Sequence, residues 1–363
     1  MGCVPGHDIS REIKTMSVYT TKEETKQEMI KKEDIVVQIK PETKPECKPE
    51  EKTEVKKEES PSKLLAEPPK VSLETLADYQ KILEPLRVSY IQMEDAGNIY
   101  LHTAKSGNLS AVGSTRIAQE IMCMQKDLPC YSSNSVFVRI DQQRTDLMKV
   151  LITGSEATPY AHGAFEFHLF TGHTYPAAPP KLTLVTTGGG QVRFNPNLYN
   201  NGYVCLSLLG TWSGNGSENW CATSTIMQVI LSIQSLVMDE DIYYKEPAFE
   251  SGKGMPGSEA LNRAYCNIVR YCNVRFAMIE QIRDPAKGFE KVIHTHFRLK
   301  KDVIMKDIEK WIAEADKPAD YTGLVASHNS MWCTFFGGSN ETYKAKLVEA
   351  YNQLKDAIKA IPS

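Results

Sequence analysis

The chain has 363 residues and sets 42 Lys and Arg against 45 Asp and Glu, a formal net charge of −3. That length allows about two average domains, and so even a balance offers no basic field for nucleic acid and no strongly acidic tail. The nine cysteines form no C-x-x-C pair and lie among aliphatic residues. They point to a reducing compartment and away from a zinc site or a disulfide scaffold.

Residues 1–70 are rich in Lys, Glu and Pro. The tetrads Lys40-Pro41-Glu42-Thr43, Lys44-Pro45-Glu46-Cys47 and Lys48-Pro49-Glu50-Glu51 repeat there, and from Thr21 to Lys63 no aromatic residue occurs. Such a segment cannot bury enough apolar surface to offset roughly 1–2 kcal/mol of backbone entropy per residue, which predicts disorder. Gly2-Cys3 is a poor acylation signal because Gly6 stands where Ser or Thr is wanted. Membrane anchoring is therefore not expected, nor is a span, since no stretch approaches about 18 consecutive apolar residues.

Residues 71–113 read as a partly helical transition, with helical spacing from Leu73 to Leu86 and no assignable element over Ile91 to Leu101. Ser114 or Thr115 then caps a predicted helix whose Ile117, Ile121 and Met124 share a face, with Pro129 beyond its end. Ser135–Asp141, Leu147–Thr153, Ala164–Phe170 and Lys181–Thr186 read as strands of an antiparallel meander. Irregular sequence follows to Ala222.

From there the period becomes helical. Ile226, Val229, Ile230, Ile233 and Val237 form one stripe, and Leu261, Tyr265, Ile268, Cys272, Phe276 and Ile279 another. Asp284 and Pro285 look like the N-cap and first residue of a further helix bearing Val292, Ile293, Ile304, Ile308 and Trp311. Tyr343, Leu347, Tyr351, Leu354 and Ile358 line the last. The order predicts an α+β fold with a four-stranded antiparallel sheet and the helices gathered on one side. His294 and His296 lie two apart, which does not face one metal, and read as surface residues.

Chemistry concentrates where Phe194 to Leu209 reads Phe-Asn-Pro-Asn-Leu-Tyr-Asn-Asn-Gly-Tyr-Val-Cys-Leu-Ser-Leu-Leu. Pro196 and Gly202 bracket a loop that delivers Cys205 just ahead of an apolar run. A thiolate there is suited to accept and pass on acyl groups, while the competing reading is a small buried core cysteine. These residues resemble the core of the ubiquitin-conjugating family. Thr158-Pro159-Tyr160 with Gly163 matches its S-P-Y-x-G-G turn, Tyr175-Pro176-Ala177-Ala178-Pro179-Pro180-Lys181 its Y-P-x-x-P-P-K, and Asn195-Pro196-Asn197 its H-P-N. Trp220, Thr225-Ile226 and Leu231 to Leu236 resemble the family's tryptophan and the helix after it. Within the family the likeness extends to the hybrid conjugating enzyme/ligase type, which shares the Asn-Pro-Asn form.

The resemblance implies a UBC fold: an N-terminal helix, a meander sheet, an active-site loop and C-terminal helices. It assigns residues 114–284 to the conjugating core and residues 285–363 to a helical C-terminal extension. It makes Cys205 the residue that receives ubiquitin as a thioester from the activating enzyme and yields it to a substrate lysine. No cofactor is implied, because ATP is consumed upstream by the activating enzyme, and no metal.

Asn197 is implied as the oxyanion donor, with pinning of its own loop as the alternative. Tyr199 and Asn195 are implied beside the acceptor lysine, Tyr199 as an apolar wall or simply a loop aromatic. Tyr175, Pro176, Pro179, Pro180 and Trp220 are implied as framework. Ala177 and Cys221-Ala222-Thr223 depart from the positions by which many members hold RING or HECT ligases, so poor recruitment by such ligases is expected. The implied location is cytoplasmic, with the nucleus as a further possibility. An inactive UBC-like binding module and a conjugating enzyme for another ubiquitin-like modifier remain the alternatives. All of this requires that a protein-sized carbonyl donor reach the Cys205 sulfur.

Overall fold

A computed structural model describes residues 73–212, 219–337 and 340–362. The expected disorder of residues 1–70 and the acylation motif lie outside them. The described residues fall within one compact unit. Helix α1 (Leu73–Leu83) runs on into a 3-10 turn at Glu84–Leu86, and the first strand, β1 (Val88–Ile91), follows. Two single-turn helices, α2 (Met93–Ala96) and α3 (Leu101–Ala104), precede the long α4 (Ala111–Asp127).

Ser110, not Ser114 or Thr115, caps α4, its side chain accepting from the Gly113 N–H at 3.0 Å. Thr115 lies inside the helix and donates to the Ala111 carbonyl. Polar Ser110 satisfies the orphan N–H one turn earlier than the apolar stripe begins, which is why periodicity alone placed the start too late. Ile117, Ile121 and Met124 are buried as expected.

Strands β2 (Val136–Asp141), β3 (Leu147–Thr153), β4 (Ala164–Phe170) and β5 (Lys181–Leu184) form the expected antiparallel meander. Strand β1 adds a fifth, parallel member beside β2. The register aligns Val88, Val138, Val150, Phe167 and Leu184 in one row, and Arg139, Lys149, His168 and Thr183 in the next. Successive side chains point to opposite faces, so the first row feeds the main core and the second faces the other way.

That second face is covered too, against the expectation of helices on one side only. Lys149 donates to the carbonyls of Ala96 and Lys287 and pairs with Glu166 at 2.7 Å. Arg139 donates to the Gly288 carbonyl, and Ile99 donates its N–H to His168. A small second cluster of Met93, Ala104, Leu147 and Phe170 seals one end.

Helix α5 (Ile226–Ser232) has a capping box made by Thr225 and Gln228 and continues as a π-helical turn, Ile233–Val237. Helix α6 (Ser258–Cys272) likewise continues through a π-helical stretch, Asn273–Ile279, into α7 (Glu280–Arg283). Asp284-Pro285 does not open the next helix. Gly288, at φ +88°, turns the chain first, and α8 (Glu290–Glu314) starts after it. Helices α9 (Ala326–Phe336) and α10 (Asn340–Lys359) complete the fold, and their buried residues join the core that includes the sheet.

His296 corrects the surface reading, because it is only 2% exposed. Its Nε2 faces the His162 carbonyl at 3.0 Å and must therefore donate, leaving Nδ1 to accept from the Tyr79 hydroxyl at 2.8 Å. Burial, with the Lys300 charge nearby, pushes its pKa down to about 3.

Candidate active site

The Tyr-Pro-x-x-Pro-Pro segment is the frame on which the site stands. Tyr175 is buried and its hydroxyl donates to the Glu120 carboxylate of α4; the same carboxylate takes the Arg116 guanidinium and the first backbone N–H of α5. Trp220 donates its indole N–H to the Pro176 carbonyl at 2.8 Å and lies against the Tyr175 ring. Pro176 follows a cis peptide bond, and Pro179 and Pro180 lead into β5. One buried carboxylate thus ties α4, the proline segment and α5 together beneath the loop that carries the cysteine.

Asn195 is fully buried. Its amide nitrogen donates to the Tyr160 hydroxyl at 2.9 Å and to the Val237 carbonyl at 2.8 Å, while its side-chain oxygen accepts from the Asn197 N–H. This corrects its expected place beside the acceptor lysine. With every polar atom engaged inside the protein, Asn195 holds the loop and cannot meet an incoming amine. Asn197 is half-buried, and its Nδ2 donates to the Cys205 carbonyl at 2.9 Å, as Cys205 N–H donates back to the Asn197 carbonyl at 2.8 Å. Of the two roles open to Asn197, this geometry displays the loop-pinning one and uses one of its two amide hydrogens.

Cys205 is 4% exposed and is buried next to Val204, which packs in the main apolar cluster. The sulfur donates to the Thr211 carbonyl at 3.0 Å. Thr211 is held there by its own hydroxyl, which accepts from the Leu206 N–H and donates to the Val204 carbonyl, both at 2.8 Å. The sulfur is therefore hardly reachable in this conformation, its residue being 4% exposed and its hydrogen bond going to main chain. Burial pushes its thiol pKa up, and the Arg193 charge opposes this.

Beside this shelf runs a surface groove of about 850 Å³, lined by Asn197, Leu206, Trp212, Cys221, Leu231 and Leu236 among others. Tyr199 packs against Tyr203 and under the Arg193 guanidinium, 4.4 Å from its ring centre. Two contributors escaped sequence reasoning. Thr211 looked like ordinary loop, and Asn273, buried in the π-helical stretch, donates to the Pro159 and Ala161 carbonyls and so fixes the turn bearing Gly163.

Residues 116–254 match the family model described as ubiquitin-conjugating enzyme, and that span contains the whole loop and its frame. The matched region is that of the ubiquitin-conjugating family. Over 236 residues it is 45% identical to the human "Dual E2 ubiquitin-conjugating enzyme/E3 ubiquitin-protein ligase BIRC6", covering 64% of this chain and 5% of that protein. It is 44% identical over 197 residues to "Probable ubiquitin-conjugating enzyme protein 17" of Caenorhabditis elegans, covering 54% of this chain and 27% of that one. With "Probable ubiquitin-conjugating enzyme E2 25" of Arabidopsis thaliana it shares 40% over 201 residues, 54% of this chain and 32% of the other. The chain thus spans less than a third of the length of each of these relatives. Among the described residues no helix is long and apolar enough to cross a membrane.

Proposed function

We propose that this ubiquitin-conjugating domain is catalytically active, with Cys205 as its thioester residue and ubiquitin as its cargo. The observation that carries the proposal is the place of Cys205: within the matched span and in motif register behind Asn195-Pro196-Asn197. The Cys205 thiolate attacks the carbonyl of ubiquitin held as a thioester on the activating enzyme, and that enzyme's thiolate departs. A neutral lysine amine of the substrate then attacks the new thioester, an isopeptide bond forms, and the Cys205 thiolate leaves as the amine loses its proton. A raised thiol pKa leaves less thiolate at neutral pH, but the thiolate that forms is the stronger nucleophile, so the two effects partly offset.

Before either step the Thr211 carbonyl must release the sulfur. Asn197 then has a second amide hydrogen to offer the developing oxyanion. Exposed Ala177 and the exposed run Cys221-Ala222-Thr223 give a RING or HECT ligase little apolar grip, which supports substrate selection by the protein itself.

Incubation with activating enzyme, ATP and ubiquitin is expected to give a thiol-reducible adduct. Several other activated ubiquitin-like modifiers run in parallel define the cargo. No adduct with any of them sinks the proposal. Asn197→Ala is expected to charge normally and discharge to lysine about 100-fold more slowly; unimpaired discharge leaves Asn197 with the loop-pinning role alone.

A further inference from the structure

Helix α9 lies well beyond the residues that match the family, yet it contacts Arg193, which in turn holds the catalytic loop. His328 on α9 is completely buried, and its Nε2 sits 3.2 Å from Glu246 Oε1. The same carboxylate oxygen lies 3.0 Å from Arg193 Nη1. Arg193 Nη2 in turn donates to the carbonyl of Pro196, the middle residue of Asn-Pro-Asn, at 2.8 Å. The backbone of Arg193 is held from the same side: its N–H donates to Met331 Sδ of α9, and its carbonyl accepts from the Tyr265 hydroxyl of α6. Tyr265 stacks on the His328 ring at 3.8 Å, and the guanidinium covers Tyr199.

The groups around this guanidinium leave one charge assignment. Burial, with the adjacent Arg193 charge, pushes His328 down to about 3, so its ring is neutral near pH 7. Burial pushes Glu246 up while Arg193 holds it down, and an ionised Glu246 is the counterion that a buried guanidinium needs. Arginine suits the place because its planar fork engages a carboxylate and a carbonyl at once.

We propose that Arg193 is a positioning residue for ubiquitin transfer, fixing the Asn-Pro-Asn loop against Cys205, and that α9 belongs to the active centre because it fixes Arg193. This rests on Cys205 being the transfer residue. The charge of Arg193 also bears on the Cys205 thiol itself. Two separable effects follow, one of charge on the thiol and one of fork geometry on the loop.

The full chain is compared with Arg193→Gln, Arg193→Lys and His328→Phe in two measurements. The first is the pH profile of iodoacetamide alkylation, read separately at Cys205 and Cys221 by mass spectrometry. The second is single-turnover discharge of the ubiquitin adduct to free lysine. Arg193→Gln is expected to move the Cys205 profile to higher pH, leave that of Cys221 in place, and slow discharge at saturating lysine about tenfold or more, as small misplacements of reacting groups do. Arg193→Lys is expected to restore the Cys205 profile and not the discharge rate. His328→Phe, which keeps a ring on Tyr265 and guards against an unfolded Arg193 variant, is expected to slow discharge a few-fold and leave charging unchanged.

An unmoved Cys205 profile in Arg193→Gln, or profiles of both cysteines moving together, overturns the proposal. So does discharge at the wild-type rate in folded His328→Phe. If the wild-type chain accepts no ubiquitin at all, the transfer reading fails by itself, while the alkylation profiles still decide whether Arg193 acts on Cys205.

Discussion

One cysteine lines the groove, another directly precedes the lining residue Leu206, and the two differ in nearly every respect. Cys221 lies on its wall, exposed, with Ser224 and Thr223 hydroxyls holding its thiol down to about 7. Cys205 sits one residue from the groove, covered by the Thr211 carbonyl, its thiol pushed up by burial. Chemical reactivity alone would select Cys221. On the proposed function, family register and framework select Cys205, where a pinned amide, a buried asparagine and a braced loop converge. The contrast teaches that thiolate character marks a cysteine open to any small electrophile, whereas acyl transfer between proteins needs a thiol set in a fixed place and uncovered on demand.

The sharpest way to break this contrast is deletion. Cys205→Ala is expected to abolish the ubiquitin adduct, and Cys221→Ala to leave it at the wild-type level on a non-reducing gel; the reverse pattern would reassign the site. Next in size is alkylation at pH 7. Roughly half of Cys221 is thiolate there, against a few per cent for an ordinary thiol, so Cys221 is expected to react on the order of ten times faster than Cys205. The sign holds across pH: the Cys221 rate levels off above about 7, while the Cys205 rate goes on rising past the range of a free cysteine. Equal rates with a common midpoint would remove the distinction.

Thr211→Val tests the cover itself. It removes a hydroxyl that makes two strong contacts, at about 1 kcal/mol each, and is expected to speed Cys205 alkylation roughly fivefold without touching Cys221. No change would mean that the cover does not depend on that side chain. The smallest effect belongs to Ser224→Ala, which is expected to move the Cys221 midpoint to higher pH, read in the same experiment, with Cys205 unaffected.

Much of this site was legible in the sequence because it is local. The loop from Phe194 to Leu209, the Pro-rich frame and Trp220 stand in fixed order, and their spacing carries the register of Cys205. The meander was legible for the same reason, since adjacent strands pair with their sequence neighbours. Strand β1 was not, because its four residues pair in parallel with a strand that follows three intervening helices, and nothing local encodes that. Helix α9 escaped because its Ser, Asn, His and aromatic residues show no clear stripe, yet Met331, Trp332 and Phe336 are buried.

The burial of Asn195 and His296 was equally out of reach. Each is polar, and each is satisfied only by partners far away in the chain, Val237 for one and Tyr79 with His162 for the other. The packing of Tyr199 was out of reach for a related reason. A loop aromatic two residues after Asn197 has two sides to choose from, and stacking on Arg193 decided it. The cover over Cys205 depends on a single carbonyl, which leaves no trace in composition or spacing.

The most direct test of the central claim is to trap the acyl bond and find its position. Cys205→Ser, treated with activating enzyme, ATP and ubiquitin, should carry ubiquitin through an ester that survives thiols and yields to hydroxylamine, mapped by peptide mass spectrometry to position 205. An adduct mapped to Cys221 or to a lysine instead, with none at position 205, would contradict it.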